Sequence, residues 1–463
     1  MAAPLLTTGW VRACAVLRAR LSCNQPAAYN GGAALALPYA DTDMMQLHLD
    51  EISRNVTAGA HAVLPLHERF PKQNVASRNF IAAAGFYSLA PKRAQSPTPG
   101  TWMLDDPFVG GVASCRLPMS GLLSPTRPGF VVAIPVRDEE ERLPACLRAL
   151  AQQRDRLGQS IPPTLVRVVM FANNCADQSA DLARELGGRL SLDVRVVEAR
   201  LPPSSAHAGA ARRAVMDLAE AWLEEGSERD GVILTTDADS QVAPDWIAEN
   251  LAAFQAGAEA VLGRIDLDGE GKFLPEALHR RGELEDAYER LLTELSWLLD
   301  PLGHNPWPHH ATISGASLGV TRTAYCRVGR LPRVPLGEDK ALIALLSRQD
   351  ARIRFCPTAQ VITSGRTDGR APGGVADTLA TRSREPDAFC DAALEPFRTA
   401  FARASWRGRL RRLHNAGRLA LDQDWAAELG LLASYFNEIV KECAFGAAWN
   451  VIEEQSPRFA RDC

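Results

Sequence analysis

From Phe130 to Gly263, short apolar runs alternate with segments whose apolar residues recur at helical spacing. The run Phe130–Ile134 (FVVAI) is continuous, as expected of a strand buried on both faces of a parallel sheet. Leu143, Cys146, Leu147 and Leu150 then mark one face of a helix. The alternation repeats. Leu165–Phe171 reads as a strand, and Leu182, Ala183 and Leu186 as a helix that Gly187 and Gly188 should stop. Asp193–Ala199 is the next strand. Ala211, Val215, Leu218, Ala219 and Trp222 make a helix closing near Gly226. Val232–Thr236 is a fourth strand, followed by a helix through Ile247, Asn250, Leu251 and Phe254 and the run Glu259–Gly263. Strand and helix in strict alternation predict an α/β domain with a mostly parallel sheet and flanking helices.

In such sheets ligands bind beyond the carboxyl ends of the strands. Every strand end here is polar. The first is followed by Pro135, Val136, Arg137, Asp138, Glu139 and Glu140, and the second by Asn173, Asn174, Cys175, Ala176 and Asp177. The third leads through a loop to His207, Ala208, Gly209, Ala210, Ala211 and Arg212, and the fourth to Asp237, Ala238, Asp239 and Ser240. Asp237 and Asp239 flank one small residue just past an apolar strand. Hard cations such as Mg²⁺ or Mn²⁺ take oxygen ligands and tolerate one or two carboxylates plus substrate phosphates. The structural alternative is that Asp239 or Ser240 caps the helix containing Trp246.

Farther on, Glu338 and Asp339 open a helix through Leu342, Ile343 and Leu346. Acidic residues suit a first helical turn electrostatically, and a carboxylate there also suits a general base. Ser314, Gly315 and Ala316 form a small-residue stretch that lets a ligand approach the backbone. The candidate cations for a diphosphate are Arg137, Arg212, Arg366 and Arg370. The last two lie in the Gly-rich loop Thr363–Arg370, after the strand-like Ala359–Ile362, where the alternative is a surface turn.

As an ordered set, these segments resemble glycosyltransferase family 2, the nucleotide-diphospho-sugar transferases of the GT-A fold. The resemblance runs from about Phe130 to about Leu379. It implies that the first two strand ends hold the nucleotide, that Asp239 carries a divalent cation, and that Asp237 lies beside it against nucleotide or sugar. It implies Asp339 as the base that takes the acceptor proton, with Glu338 orienting the site, and a single in-line, inverting displacement. The chain departs from the family pattern in two places. Asn173 and Asn174 stand where many members carry a carboxylate, and Asp138 stands where Asn is usual. The nucleotide base is therefore left open.

The 51 Lys and Arg against 55 Asp and Glu argue against a dedicated nucleic-acid binder. The ten cysteines are scattered without a CxxC pair, which suits free thiols in a reducing cytosol. No apolar run reaches the roughly 18 residues of a membrane span. His304, His309 and His310 cluster around Trp307, and an acceptor-site loop with Trp307 facing a sugar is preferred to a metal site there. Trp222 and Trp246 read as core. Cys175 reads as a small buried residue, and the triplet Asn55-Val56-Thr57 as incidental.

The expected division is an N-terminal region of unknown role over 1–125, a GT-A domain over 126–390, and a helical extension over 391–463. The first 40 residues lack acid and weakly resemble a transit peptide, although a plain extension is preferred. Within 397–418, arginines interleave with Phe397, Phe401, Trp406, Leu410 and Leu413. The preferred reading is a helix packed on the domain, with Gly408 and Gly417 weakening it. The alternative is a basic amphipathic helix on the inner face of a membrane, where a lipid-linked acceptor would be found. A cytoplasmic nucleotide-sugar transferase leads. A sugar nucleotidyltransferase is disfavoured because the loop after the first strand is acidic, and an inactive nucleotide- or glycan-binding module would be expected to lack a key carboxylate.

Overall fold

A computed structural model describes residues 129–269, 275–369, 373–385, 391, 393–419 and 424–459. All of them fall in the second of two compact units, Ile81–Cys463. The region 1–125, with its transit-like segment and the Asn55 triplet, lies outside the described residues, as does Arg370.

The elements follow the alternation. In chain order they are β1 (Phe130–Val136), α1 (Leu143–Ala151), β2 (Arg167–Asn173), α2 (Ser179–Arg189), β3 (Asp193–Ala199) and α3 (Ala208–Glu225). Then come β4 (Val232–Thr235), β5 (Gln241–Val242), α4 (Trp246–Gln255), β6 (Ala260–Leu267) and α5 (Glu276–Leu299). The remainder are β7 (Leu318–Thr321), α6 (Arg322–Arg327), α7 (Glu338–Arg348), β8 (Ile353–Thr363), α8 (Val375–Arg384), α9 (Phe397–Asn415), α10 (Asp424–Glu428), α11 (Ala433–Glu442) and α12 (Phe445–Gln455).

The strands form one sheet in the order β3-β2-β1-β4-β7-β6-β8-β5. The half made of β1 to β4 is parallel, as the apolar runs predict. The sheet as a whole is mixed, because β7 pairs antiparallel with β4 and β6, and β5 with β8. Val131 and Ala133 point to one face of β1, and Val132 and Ile134 to the other; all four are fully buried. One face carries α1 and α2 through Leu143, Leu147, Leu150 and Ala183. The other carries α3 and α7 through Val215, Met216, Leu342 and Leu346. Trp246 and Trp222 are core residues, as expected.

Two glycine expectations are corrected. α2 runs through Gly187 and Gly188 to Arg189. A Cβ on Gly187 would sit 2.7 Å from a Val194 methyl, so this glycine lets β3 pass close rather than ending the helix. α9 likewise runs unbroken through Gly408, where a Cβ would lie 2.2 Å from the Leu299 carbonyl oxygen. Gly417 lies beyond the end of α9, at φ +66°.

The helical C-terminal region packs around Leu410, Phe436, Phe445 and Ile452, with Trp406 and Leu413 against them. The arginines of α9 are engaged. Arg407 and Arg411 both reach the buried Asp300, at 2.7 and 2.8 Å. Arg403 meets Glu395 and Glu453, and Arg409 lies 3.6 Å over the Trp425 ring. This is the packed-helix reading of 397–418. Among the described residues no helix is long and apolar enough to cross a membrane.

Candidate functional site

A cavity of about 450 Å³ lies beyond the carboxyl ends of β1, β2 and β4. Pro135, Arg137 and Glu139 line it from the end of β1, and Asn173 from β2. His207 and Arg212 come from the start of α3, and Asp237 and Asp239 from the turn after β4. Ser314, Gly315, Glu338 and Asp339 close the opposite wall, and Arg366 comes from the loop after β8.

The turn after β4 places its two carboxylates in different surroundings. Asp237 Oδ1 accepts from Arg212 Nη2 at 2.7 Å. Asp239 pairs with Arg366 at 3.1 Å and accepts from the Ser240 hydroxyl at 3.3 Å. Neither Asp239 nor Ser240 caps a helix, since the N-cap of α4 is Asp245. The capping alternative therefore fails. Arg366 also grips Glu139 through two hydrogen bonds of 2.9 and 2.5 Å. Burial, and after it the charge of Asp237, push the Asp239 carboxyl up to about 6, against the pull of Arg366. Asp237 and Glu139 both act on Asp239 through their charge. Asp237 and Asp239 offer the carboxylate oxygens that a hard divalent cation takes together with substrate phosphates, so the residues present fit such an ion.

Asp339 sits in the first turn of α7. Its Oδ2 accepts from the Gly315 N–H at 2.9 Å and its Oδ1 from its neighbour's N–H, that of Lys340, at 2.7 Å. Burial and the adjacent Glu338 raise its pKa, while Arg212 and the two N–H donors oppose them. Raised affinity for a proton suits a base.

Arg212 is the hub of this wall. Nε donates to Glu338 at 2.9 Å, Nη1 to the Thr235 hydroxyl and the Gly315 carbonyl, and Nη2 to Asp237. Burial works against its charge, but Asp237 and Glu338 outweigh that and raise its pKa. Sequence reasoning took Arg212 for a phosphate clamp, whereas its donors are spent on fixing the carboxylates. We expect Arg212→Met to destabilise the fold by about 3–5 kcal/mol, because it leaves buried Glu338 without its partner. Chemical denaturation would check this, and a loss under about 1 kcal/mol would refute the hub role.

The structure does not bring every sequence candidate to the cavity. Asp138 and Asn174 have left-handed φ values of 53° and 54° and spend their side chains on loop backbone. Asp138 accepts from the Ala176 N–H at 2.6 Å, and Asn174 both donates to and accepts from Leu201. Gly209 lies beside the wall, and a Cβ there would meet the Val334 carbonyl at 2.0 Å, so its part is packing. Ala316 is buried behind Ser314, whose hydroxyl accepts its N–H. Trp307 is not among the lining residues and packs against Trp297 and His309, with ring centroids 6.0 and 5.4 Å apart. His310 is buried edge-on to Phe355, and burial drives its pKa down to about 4. His304, half buried, also has a lowered pKa. Asp138, Cys175 and Asp177 approach within 4.8 Å of one another, as a metal group might. Their carboxylates instead accept from the N–H groups of Ala176, Ser179 and Glu140, tying two loops together. Cys175 is only half buried, with its thiol toward the Val136 carbonyl.

Sequence reasoning missed three charged residues of the cavity: Glu289 in α5, Lys340 in α7, and Asp391. Lys340 adjoins a motif already singled out. Glu289 and Asp391 carry no local signal, because their neighbours lie far away in the chain.

Residues 131–310 match the family model described as glycosyl transferase family 2. An uncharacterized protein of Sinorhizobium fredii, y4pE/y4sA, is 62% identical over 37 residues, 8% of this chain. The chain thus spans 27% of the length of that curated relative. Among solved structures, S. aureus TarS 1-349 in complex with UDP shares 14% identity over 70% of this chain and 90% of its own, with a TM-score of 0.36. Mannosyltransferase PcManGT from Pyrobaculum calidifontis, in complex with GDP-Man and Mn²⁺, shares 14% identity over 71% and 88%, with a TM-score of 0.37. The matched segment holds the parallel half of the sheet and the carboxylate turn after β4, and it is this segment, residues 131–310, that is similar to glycosyl transferase family 2.

Proposed function

We propose that the chain transfers a glycosyl group, with inversion, from a nucleoside-diphosphate sugar to a hydroxyl acceptor. The observation that carries this reading is that one cavity is lined both by Asp237 and Asp239, after β4, and by the buried Asp339. Asp239, with Asp237 beside it, would hold Mg²⁺ or Mn²⁺, which neutralises charge on the departing diphosphate. Arg137, half exposed at the cavity, adds a cation on the donor side. Asn173 and His207 border the space for the nucleotide. Ser314 and Gly315 border the sugar.

The displacement balances in one step. The acceptor oxygen forms its bond to the anomeric carbon as the bond from that carbon to the phosphate oxygen breaks. The electron pair leaves with the nucleoside diphosphate, and the acceptor proton passes to Asp339. Gly315 and Lys340 hold that carboxylate by its two oxygens, and Arg212 fixes Glu338 beside it.

The test offers a panel of UDP- and GDP-sugars to the purified chain with Mn²⁺ or Mg²⁺, following binding by calorimetry and slow donor hydrolysis by released nucleotide. One donor should bind and be hydrolysed only with the metal. If no nucleotide sugar binds with either ion, the transferase reading falls and a scaffold role takes its place.

A further inference from the structure

The cavity has a charged wall that the donor chemistry does not use. Glu289 lines it from α5, about two turns of helix before the tryptophan that packs on Trp307. Lys340 follows Asp339 directly, and its Nζ lies 3.9 Å from Asp391 Oδ2. Asp391 also accepts from the Ala393 N–H at 2.8 Å. Among the described residues no donor is hydrogen-bonded to the Glu289 carboxyl, although it is largely enclosed. A mostly enclosed carboxyl without a donor, lining a cavity of this size, is a group left for a ligand.

The charges say which ligand. Among the described residues, Asp339, Glu289 and Asp391 share this wall with a single amine, and that amine already faces Asp391. The guanidiniums of Arg212 and Arg366 are spent on Asp237, Glu338, Glu139 and Asp239. A phosphate or carboxylate placed here meets like charge, whereas sugar hydroxyls donate well to carboxylates and accept from an ammonium.

We infer that Glu289, with Asp391 and Lys340, forms the acceptor subsite and selects an uncharged polyhydroxy acceptor over one bearing a carboxylate or phosphate. This rests on the transferase reading above. Burial and Asp391 push the Glu289 carboxyl up to about 7, against the pull of Lys340. Near neutral pH it therefore takes either role toward a sugar hydroxyl, as donor when protonated and as acceptor when ionised.

The experiment uses the full chain with Mn²⁺ and the nucleoside diphosphate selected by the donor panel. The probes are two matched pairs, p-nitrophenyl glucoside with glucuronide and p-nitrophenyl galactoside with galacturonide. Each pair differs only in a carboxylate at the sugar's C6. Affinities are read by ligand-observed NMR, without turnover. In the unaltered chain the neutral member of a pair should bind at least about 10-fold more tightly than the acidic one. Glu289→Gln should narrow the gap and Glu289→Lys should reverse it, while nucleotide affinity, which also reports correct folding, stays as it was. Equal binding of the two members, a gap unmoved by Glu289→Lys, or no glycoside binding at all would each overturn the inference. Failure of the parent reading looks different: there, no nucleotide sugar of the panel binds with either ion, so no nucleoside diphosphate is selected.

Discussion

Asp239→Ala should abolish the metal dependence of nucleotide binding and lower transfer by about 10²–10³-fold, the scale seen when one preorganised electrostatic stabiliser is removed. Asp239 is enclosed, faces Asp237 and Glu139, and lies where the strand order turns from the parallel half of the sheet toward β7. Alanine leaves Arg366 paired to Glu139, so the fold should survive. Titration of Mn²⁺ at fixed nucleotide, beside steady-state kinetics, separates the two effects. A variant that binds nucleotide with the same metal dependence as the unaltered chain would show that Asp239 is structural.

The second large effect is expected at Asp339. Asp339→Asn should cut kcat by about 10²–10⁴-fold, the contribution of a positioned general base, with little change in donor affinity. The amide oxygen can still accept the Gly315 N–H, so the wall should keep its shape. The pH profile gives a check that a purely structural role would not pass. Burial and Glu338 raise the Asp339 pKa above the ordinary Asp range. A base works ionised, so the rate should fall as pH drops through that raised value, earlier than for an exposed aspartate. In Asp339→Asn the acidic limb should disappear from what activity remains. An unchanged limb would assign the proton to another group.

Much of this architecture is legible in the chain because it is local. Asp193–Ala199 coincides with β3, and the polar clusters at four strand ends follow from where apolar runs stop. The antiparallel pairs are less legible: β5 is two residues long and β7 four, too short for a periodic signal. Side-chain commitments were hidden for another reason. An arginine near two acidic motifs reads alike whether it faces a phosphate or holds the motifs together; only the packing of α3 against α7 decides for Arg212. Asp138 and Asn174 look like ligands by position, yet their left-handed backbone turns them to the loops. Gly187 looks like a helix end, and Gly408 like a weak point in a helix, until the neighbouring β3 and α5 are in place. Glu289 is brought to the cavity by α5, which follows the strand–helix alternation and has no counterpart in it.

The grip of Arg366 on Glu139 and Asp239 has one more consequence. The acidic centre carries its own counter-ion, tethered in the loop after β8. Zinc-finger-like domains need metal to fold, but here the guanidinium lets the carboxylates be buried together before any ion arrives. On the proposed reading, loading a metal would be an exchange of one cation for another. The incoming ion would compete with a tethered arginine at high effective concentration, and the freed guanidinium would be left beside the place where a diphosphate's charge would have to be met.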